Sequence, residues 1–491
     1  MMTTDRERAS SEQGIALLGV IILALILALL GATLLDLAGQ EASSVAGATD
    51  VAVAQAVADA AQELVIAWFH SPQASPSAMA APLTKRQLSS TGSPSFFDQA
   101  GRSQFVGTVD RPDLFLDASR SADQQQLNDA STGLFRSLQD LGSVQDLKVY
   151  GPNTPGLLCT VEATVTTANS STKHTVSMQL GALEIPALRA GVQAGGDLGL
   201  SQVGQESGAQ VHWGDLVVDG ELTLQRLEDI PIQDDSAPIT GLSYRDMSHR
   251  DDRWLSMWIG GGVHLLQLSP GQSSGAVLPF NVHANRHPTP GLRRDHWGYE
   301  QLKRLAQQQG AYLAIDRDGL LYPSGLVEPG HGVTPDDYLR SRAVGDTRGL
   351  IFIDTLDRTA PRADNLGVLR LNAAYLEAIL VVQGHVIVSP SASGQSLSVF
   401  SPPVGGSGPA VSRTSVQLTD IHLNGALYAA GNITLDRSAR VFGALAAEGT
   451  ITVARPGTTI EVWYDHEMGR GLFRGVPVVM RAPGTWMVRY E

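Results

Sequence analysis

Apolar and polar positions follow three different rhythms along this chain. From Ile15 to Leu35 (IALLGVIILALILALLGATLL) no charged residue occurs. A run of that length crosses a bilayer as one helix, which takes roughly 20 apolar residues, and helix is the form in which a lone segment satisfies its own backbone in lipid. The run continues through Asp36 and Glu41 into alanine-rich sequence with no proline before Pro72. There Val53, Val57, Ala60, Ala61, Leu64 and Trp68 recur at helical spacing. The pattern predicts one long helix over 15–70, its first half in a membrane and its second half the spine of a folded head.

The second rhythm is that of strands. Residues 71–144 open on Ser71-Pro72-Gln73-Ala74-Ser75-Pro76 and read as loop-rich, with a short helix expected over Leu127–Leu141. Gly156–Val165 and Ser171–Leu180 are β-rich and flank Thr167-Ala168-Asn169-Ser170, which predicts a hairpin.

The third rhythm is a repeat. Four segments share a leucine, three residues, a glycine, one residue, then two aliphatics with one residue between: they begin at Leu216, Leu380, Leu427 and Leu445. The last two lie 18 residues apart, and their likeness extends back to Gly425 against Gly443. Alternating aliphatics send one set of side chains inward, and the glycine suits a tight corner. Repetition at this interval predicts a parallel β-solenoid, in which each rung buries its apolar face on the next; an antiparallel sandwich is the competing arrangement. Between the first and second copies, residues 231–345 break the pattern with Trp254, Trp258, Trp297, several histidines and an amphipathic helix from Tyr299 to a C-cap at Gly310. They are expected to form an insertion on one side of the solenoid.

The organisation expected is therefore α+β and mostly β. It comprises a leader (1–14), a transmembrane and head-spanning helix (15–70), an αβ module (71–185), a first solenoid part (186–230), the insertion (231–345), and the main solenoid part with C-terminal strands (346–491).

The residues before the apolar run narrow its kind. The leader MMTTDRERASSEQG is short, polar and mixed in charge, and ends in Gly14 immediately before Ile15. Arg6 and Arg8 favour a cytoplasmic N-terminus. A secretory signal peptide has a shorter apolar core, and the small residues Ser44-Val45-Ala46 lie well beyond the end of this one. This N-terminus resembles those of type IV prepilins and pseudopilins, and is most similar to PilX-type minor pilins, with an acidic residue among alanines (Ala56-Val57-Ala58-Asp59-Ala60-Ala61). The resemblance covers about the first 70 residues. It implies cutting after Gly14 by a prepilin peptidase, methylation of the new terminus at Ile15, and a helix retained on the mature protein in the inner membrane, its head in the periplasm and later at the pilus or cell surface. Major pilins carry glutamate at the fifth mature position, where this chain has Gly19. That departure resembles tip-located, K-type pseudopilins, so Gly19 is expected to mark position in the filament. A long helix on a small antiparallel sheet is also the pilin-head arrangement. The glycine-punctuated strands leading to Tyr464-Asp465 resemble the C-terminal region of long PilX-like proteins. The implied partners are other minor pilins, the major pilin and a tip adhesin.

Composition removes other classes. Net charge is −14 with no basic cluster, which excludes nucleic-acid binding. Cys159 is the single cysteine, so there is neither an internal disulfide nor a cysteine-based metal site; it is expected to be a buried small apolar residue. No arrangement carries chemistry with conviction. His283, His287, Asp295 and His296 lie close in sequence, but Pro288 and Pro290 break any helix that would align them. Asp316-Arg317-Asp318-Gly319 lacks the later ligands of a calcium loop and reads as a turn. Asp354, Asp357 and Asp364 form an acidic group without a partner base. There is no GxSxG elbow, Gly260-Gly261-Gly262 is followed by no GK[ST], and Tyr464-Asp465-His466-Glu467 reads as the end of the solenoid. No catalytic, cofactor or metal residue is assigned. The expectation is a non-enzymatic minor pilin or tip pseudopilin. The alternatives are a membrane-tethered β-helical polysaccharide-active enzyme, with Asp219, Gln383, Ala430 and Glu448 at equivalent rung positions, and a surface adhesin using Trp254, Trp258 or Trp297.

Overall fold

The computed structural model describes residues 5–70, 100–168, 172–183, 186–200, 208–225, 256–267, 282–289, 297–324, 330–340, 349–400, 415–471 and 478–490, with a few isolated residues between them; side chains of the first helix are described, in part, from Leu27 onward. The protein is mostly β with one long N-terminal helix. It divides into two compact units: Met1–Thr84 with Ser103–Gly181 and Arg481–Glu491, and Lys85–Arg102 with Ala182–Met480.

In the first unit, α1 runs unbroken over Asp5–His70. Its upper part packs on an antiparallel sheet of β1 (Leu114–Asp117), β2 (Gly142–Tyr150), β3 (Cys159–Thr167) and β4 (Lys173–Ala182), extended past β4 by the strand Met487–Tyr490. The hairpin lies where the strand pattern put it, with Val165 opposite His174. The helix face is rotated from the expected one. Ala54, Val57, Ala58, Ala61, Val65, Trp68 and Phe69 are buried, whereas Val53, Ala60 and Leu64 are half-buried. Small residues at 54, 58 and 61 let helix and sheet approach closely. The expected stripe shares Val57, Ala61 and Trp68 with the buried face and misses Ala54 and Ala58. Each of Trp68, Phe69, Val57 and Val65 contributes roughly 1.5–3 kcal/mol by leaving water.

The helix expected over Leu127–Leu141 lies elsewhere. Helix α2 spans Ser121–Asn128, and only a single 3-10 turn follows, at Arg136–Leu138. Asp129 is the cause. Its Oδ1 accepts from the amides of Ser131 and Thr132 and from both hydroxyls, a local arrangement that competes with helix.

The second unit is built from two parallel sheets. Among the described residues the larger has twelve strands, whose main path runs Val282–His283, Met257–Ile259, Asp215–Val218, Ala190–Ala194, Ala439–Ala447, Leu423–Ala429, Leu376–Val382, Leu350–Thr355, Ala311–Ile315 and Leu321–Pro323. All neighbours on this path are parallel except the last pair. The smaller sheet has seven strands, also parallel: Val263–Leu265, Leu222–Leu224, Leu198–Gly199, Ile451–Val453, Ile433–Leu435, Gly384–Val388 and Gly367–Leu371. Successive passes of the chain place one strand in each, and the aliphatics between them form one continuous core. The described strands of residues 231–345 join these same sheets; Met257, Ile259 and Leu313 take core positions in them.

The sequence repeat is a stacking register. Leu445 pairs with Leu427 and Leu427 with Leu380, and Val192 joins Leu445 to Leu216. The repeat glycines serve close stacking rather than an unusual backbone angle. Gly431 donates its amide to Gly384 O, Gly449 to Gly431 O, Gly196 to Gly449 O, Gly220 to Gly196 O and Gly261 to Gly220 O, at 2.9 to 3.1 Å. A Cβ on Gly384 would stand 2.6 Å from the Gly367 carbonyl oxygen. Side chains add strand-to-strand bonds beside these glycines: His385 Nδ1 accepts from Asn432 N (3.0 Å), Asn432 Oδ1 from Thr450 N (3.0 Å) and Asp197 Oδ1 from Glu221 N (2.8 Å). Each satisfies a main-chain donor that a bend in the strand would otherwise leave open.

The outer face of the larger sheet is covered. Helix α3 (Tyr299–Gln309) lays Leu302, Leu305 and Ala306 over Phe352, and Trp297, fully buried, sits against Tyr428 and Phe473. Trp297 Nε1 donates to Pro186 O at 3.0 Å, which meets the polar need of a buried indole.

Candidate assembly interface

The feature with the clearest functional content is the lower part of α1. Leu27, Leu29, Leu30, Leu35 and Leu37 are 61, 58, 54, 76 and 55% exposed. Each is a large apolar side chain on a continuous helix, with no protein over it. A Cβ built at Gly39 or Gly47 would have nothing within 4 Å. Five exposed leucines within eleven residues form an apolar surface that water does not stabilise, and such surfaces mark contact with lipid or with another protein. Higher up, the helix is an internal spine. By length and composition Gly47–Phe69 also qualifies as a membrane span, but its Val57, Ala58, Ala61 and Val65 are fully buried against the unit's own sheet.

The expected processing and position residues Gly14, Ile15 and Gly19 lie within α1, in a stretch of which only the backbone is described. Asp59, the acid among alanines, is tied to the closing segment: Arg481 Nη1 lies 3.2 Å from Asp59 Oδ1, and Nη2 2.7 Å from Glu63 Oε1. All three side chains are more than a third exposed, so the pairs add little stability.

The candidate chemical groups do not converge. Asp354 is fully buried and saturated: Tyr299 donates to Oδ1 (3.0 Å), Tyr312 to Oδ2 (2.7 Å) and the Thr355 amide to Oδ1 (2.9 Å), while Lys303 Nζ lies 2.7 Å from Oδ2. Lys303 also donates to the Tyr299 hydroxyl and to Arg358 O. Burial and the adjacent carboxylate push both tyrosine hydroxyls far above their ordinary range. This cluster fastens α3 to the sheet. Asp357 braces its own loop, accepting from Thr355, Thr359, Arg362 and Asn365. Asp364 is exposed and pairs with Arg362. The three acids thus serve separate purposes.

Asp316-Arg317-Asp318-Gly319 is the turn between Ala311–Ile315 and Leu321–Pro323; Asp316 Oδ1 accepts from the amides of Asp318 and Leu320. His283 stacks on Trp258 with ring centres 4.2 Å apart, and burial, with Arg286 nearby, lowers its proton affinity. Asp295, His296 and Trp254 lie outside the described residues. Among the described residues no three His, Cys, Asp or Glu side chains gather as a metal site requires. Of the rung-position residues, Gln383 is fully buried, and Glu448 accepts from the Tyr428 hydroxyl at 2.6 Å. Tyr464 is buried and donates to Leu188 O at 2.6 Å; Asp465 caps the following 3-10 turn through Glu467 N. Cys159 is buried, and burial raises its thiol far above the ordinary range.

One group in the second unit escaped the sequence reading. Asp215 opens its strand with Oδ1 accepting from Ser256 N at 2.8 Å, and burial pushes its carboxyl up to about 7. An aspartate beginning an aliphatic run (DLVV) was the available signal.

No protein-family model matches the chain, and no curated protein matches it. Among solved structures it is similar to the competence-associated pilin ComZ from Thermus thermophilus, at 13% identity over 72% of this chain and 84% of that one, with a TM-score of 0.27. A TM-score that low carries no weight for fold or role.

Proposed function

We propose that this chain is a non-enzymatic minor pilin or tip pseudopilin, PilX-like in kind, that takes part in assembling or priming a type IV pilus or type II secretion-like filament. The observation that carries the reading is the uncovered leucine stretch of α1 growing without a break out of a packed spine. A tether needs only to hold a head near a membrane; a rigid helix continuous with the core fixes the head's position relative to whatever surrounds the helix. The helix would be cut after Gly14, wait in the inner membrane with its N-terminus in the cytoplasm, and then exchange lipid neighbours for the helices of other minor pilins and the major pilin. Gly19 in place of glutamate supports a tip position, as does the bulk of the second unit, which we interpret as a β-solenoid on the strength of its in-register rungs.

Mass spectrometry of the mature N-terminus, with and without a prepilin peptidase, tests this. A terminus at a methylated Ile15 is the expected result. A leader left intact in the peptidase's presence, or trimming beyond Ala46, removes the proposal.

A further inference from the structure

Between the strands Gly384–Val388 and Leu423–Ala429 the chain leaves the stack to form a two-stranded antiparallel ribbon, Gln395–Phe400 with Ser415–Ile421. Gly394 N donates to Asp420 Oδ1 at 2.7 Å and pins its base. One side of the ribbon lies on Trp213, Trp463, Tyr375 and Phe442. Its two strands are not equally covered. Leu418 and Ile421 of the inner strand are 4% and 0% exposed, whereas Leu397 and Val399 of the outer strand are half-buried. On the opposite side Ser396, Ser398 and Phe400 are exposed, Phe400 by 64%. Among the described residues the outer strand pairs with no strand but its ribbon partner, so its far edge presents main-chain donors and acceptors to no other strand.

Folded proteins blunt such an edge with charge, proline or a bulge. The outer strand (QSLSVF) holds neither charge nor proline. The ribbon's register shift takes up its extra residue on the inner strand, beside Asp420 with φ 61°. We propose that Gln395–Phe400 is an interaction edge that pairs antiparallel with the same strand of a second copy of this chain. The pairing stands apart from the filament reading. An uncharged strand adds no like-charge repulsion between copies of a chain whose net charge is −14. Directly opposite residues share a face, so a twofold pairing must centre on a residue. Centred on Ser398, it sets Leu397 opposite Val399 on the apolar side and Ser396 opposite Phe400 on the other. Each exposed ring then closes over a small serine, and the half-buried aliphatics of the two copies cover one another. Two ribbons, each marginal alone, become one four-stranded sheet.

Cysteine cross-linking of the full chain, in lipid nanodiscs holding one chain each, tests the pairing. Cys159 is buried and is kept. Ser398→Cys brings two thiols together at the twofold axis, with Cβ atoms about 4.5–5.5 Å apart. Ser396→Cys and Phe400→Cys each stand roughly 14 Å from their own copy, at about 3.4 Å per residue, yet face each other when the two variants are mixed. Mild oxidation of Ser398→Cys, and of the mixture, is expected to give roughly tenfold or more the dimer of Ser396→Cys or Phe400→Cys alone, since a disulfide forms only at short Cβ separation. Dimer from Ser398→Cys no greater than from the unaltered chain, or equal yields at all three positions, overturns the proposal.

Discussion

Gly196 donates its amide to Gly449 O at 2.9 Å, and that bond joins two runs of the chain into one stack. From Ala190 the first run stacks outward through Asp215–Val218 and Met257–Ile259 to Val282–His283. The second begins at the far end with Ala311–Ile315 and advances through Leu350–Thr355, Leu376–Val382 and Leu423–Ala429 until Ala439–Ala447 meets Ala190–Ala194. The smaller sheet makes the same join, with Ile451 opposite Leu198.

Glycine is required most strictly at Gly425 and Gly443, which pair in register with φ of 144° and 141°. A Cβ at Gly443 would collide with the Gly425 carbonyl oxygen, and one at Gly425 with that of Ala378. Gly443→Ala is expected to cost about 3 kcal/mol or more, since backbone strain and collision add. Gly457→Ala, at φ 69° in open space, should cost about 1–2 kcal/mol. Urea unfolding of the two variants checks the ordering; equal midpoints would contradict it.

Lys303 and Asp354 should behave as a buried pair. Lys303→Met leaves the buried carboxylate with two tyrosine hydroxyls and an amide but no counter-charge, at a cost of roughly 3–5 kcal/mol. Lys303→Met combined with Asp354→Leu is expected to recover part of that loss. A double-mutant cycle on thermal unfolding decides; additive losses would mean that the pair is not coupled.

Asp215 sets a pH dependence with a definite sign. Burial raises its carboxyl from the ordinary 3.8 to about 7, so the folded state binds the proton more tightly than the unfolded chain. The stability this contributes is complete below pH 4 and lost as pH climbs toward 7, by about 4 kcal/mol at most. In Asp215→Asn that loss should vanish. Unfolding midpoints at pH 5 and pH 8 compare the two proteins: the unaltered chain should fall more steeply than the variant.

Gln62 is an apolar site occupied by a polar group. It is fully buried between α1 and β4, its Nε2 reaches Val176 O only at 3.5 Å, and its Oε1 has no partner. Gln62→Met is expected to raise stability by about 1 kcal/mol, because an unsatisfied buried amide costs more than a thioether of similar length. A lower melting temperature in the variant would show that the amide has a role that its neighbours do not reveal.

What could be read in the sequence followed from spacing. The α1 helix, the hairpin around Thr167 and the register of Leu380, Leu427 and Leu445 all arise from periodicities that a single chain displays. What could not be read depended on distant partners. The meeting of Leu445 with Val192 leaves no local trace, nor does the burial of Trp297 under Tyr428 and Phe473. The α1 face was read correctly at Val57, Ala61 and Trp68 but was rotated at its edge, because alanines at 54 and 58 are weakly apolar on any scale, yet fit against a sheet. Acids grouped in sequence, such as Asp354, Asp357 and Asp364, were separated because the first lies in the buried strand Leu350–Thr355 and the other two in the exposed loop after it.

The join at Gly196 and Gly449 has a cost during synthesis. Ala190–Ala194 and Leu198–Gly199 leave the ribosome first, yet the strands that cover one side of them come some 250 residues later at synthesis rates of about 5–20 residues per second. Through that interval a parallel edge stays bare, the kind of edge on which foreign strands aggregate. Until Ala439–Ala447 and Ile451–Val453 arrive, that edge is open to pairing with another chain.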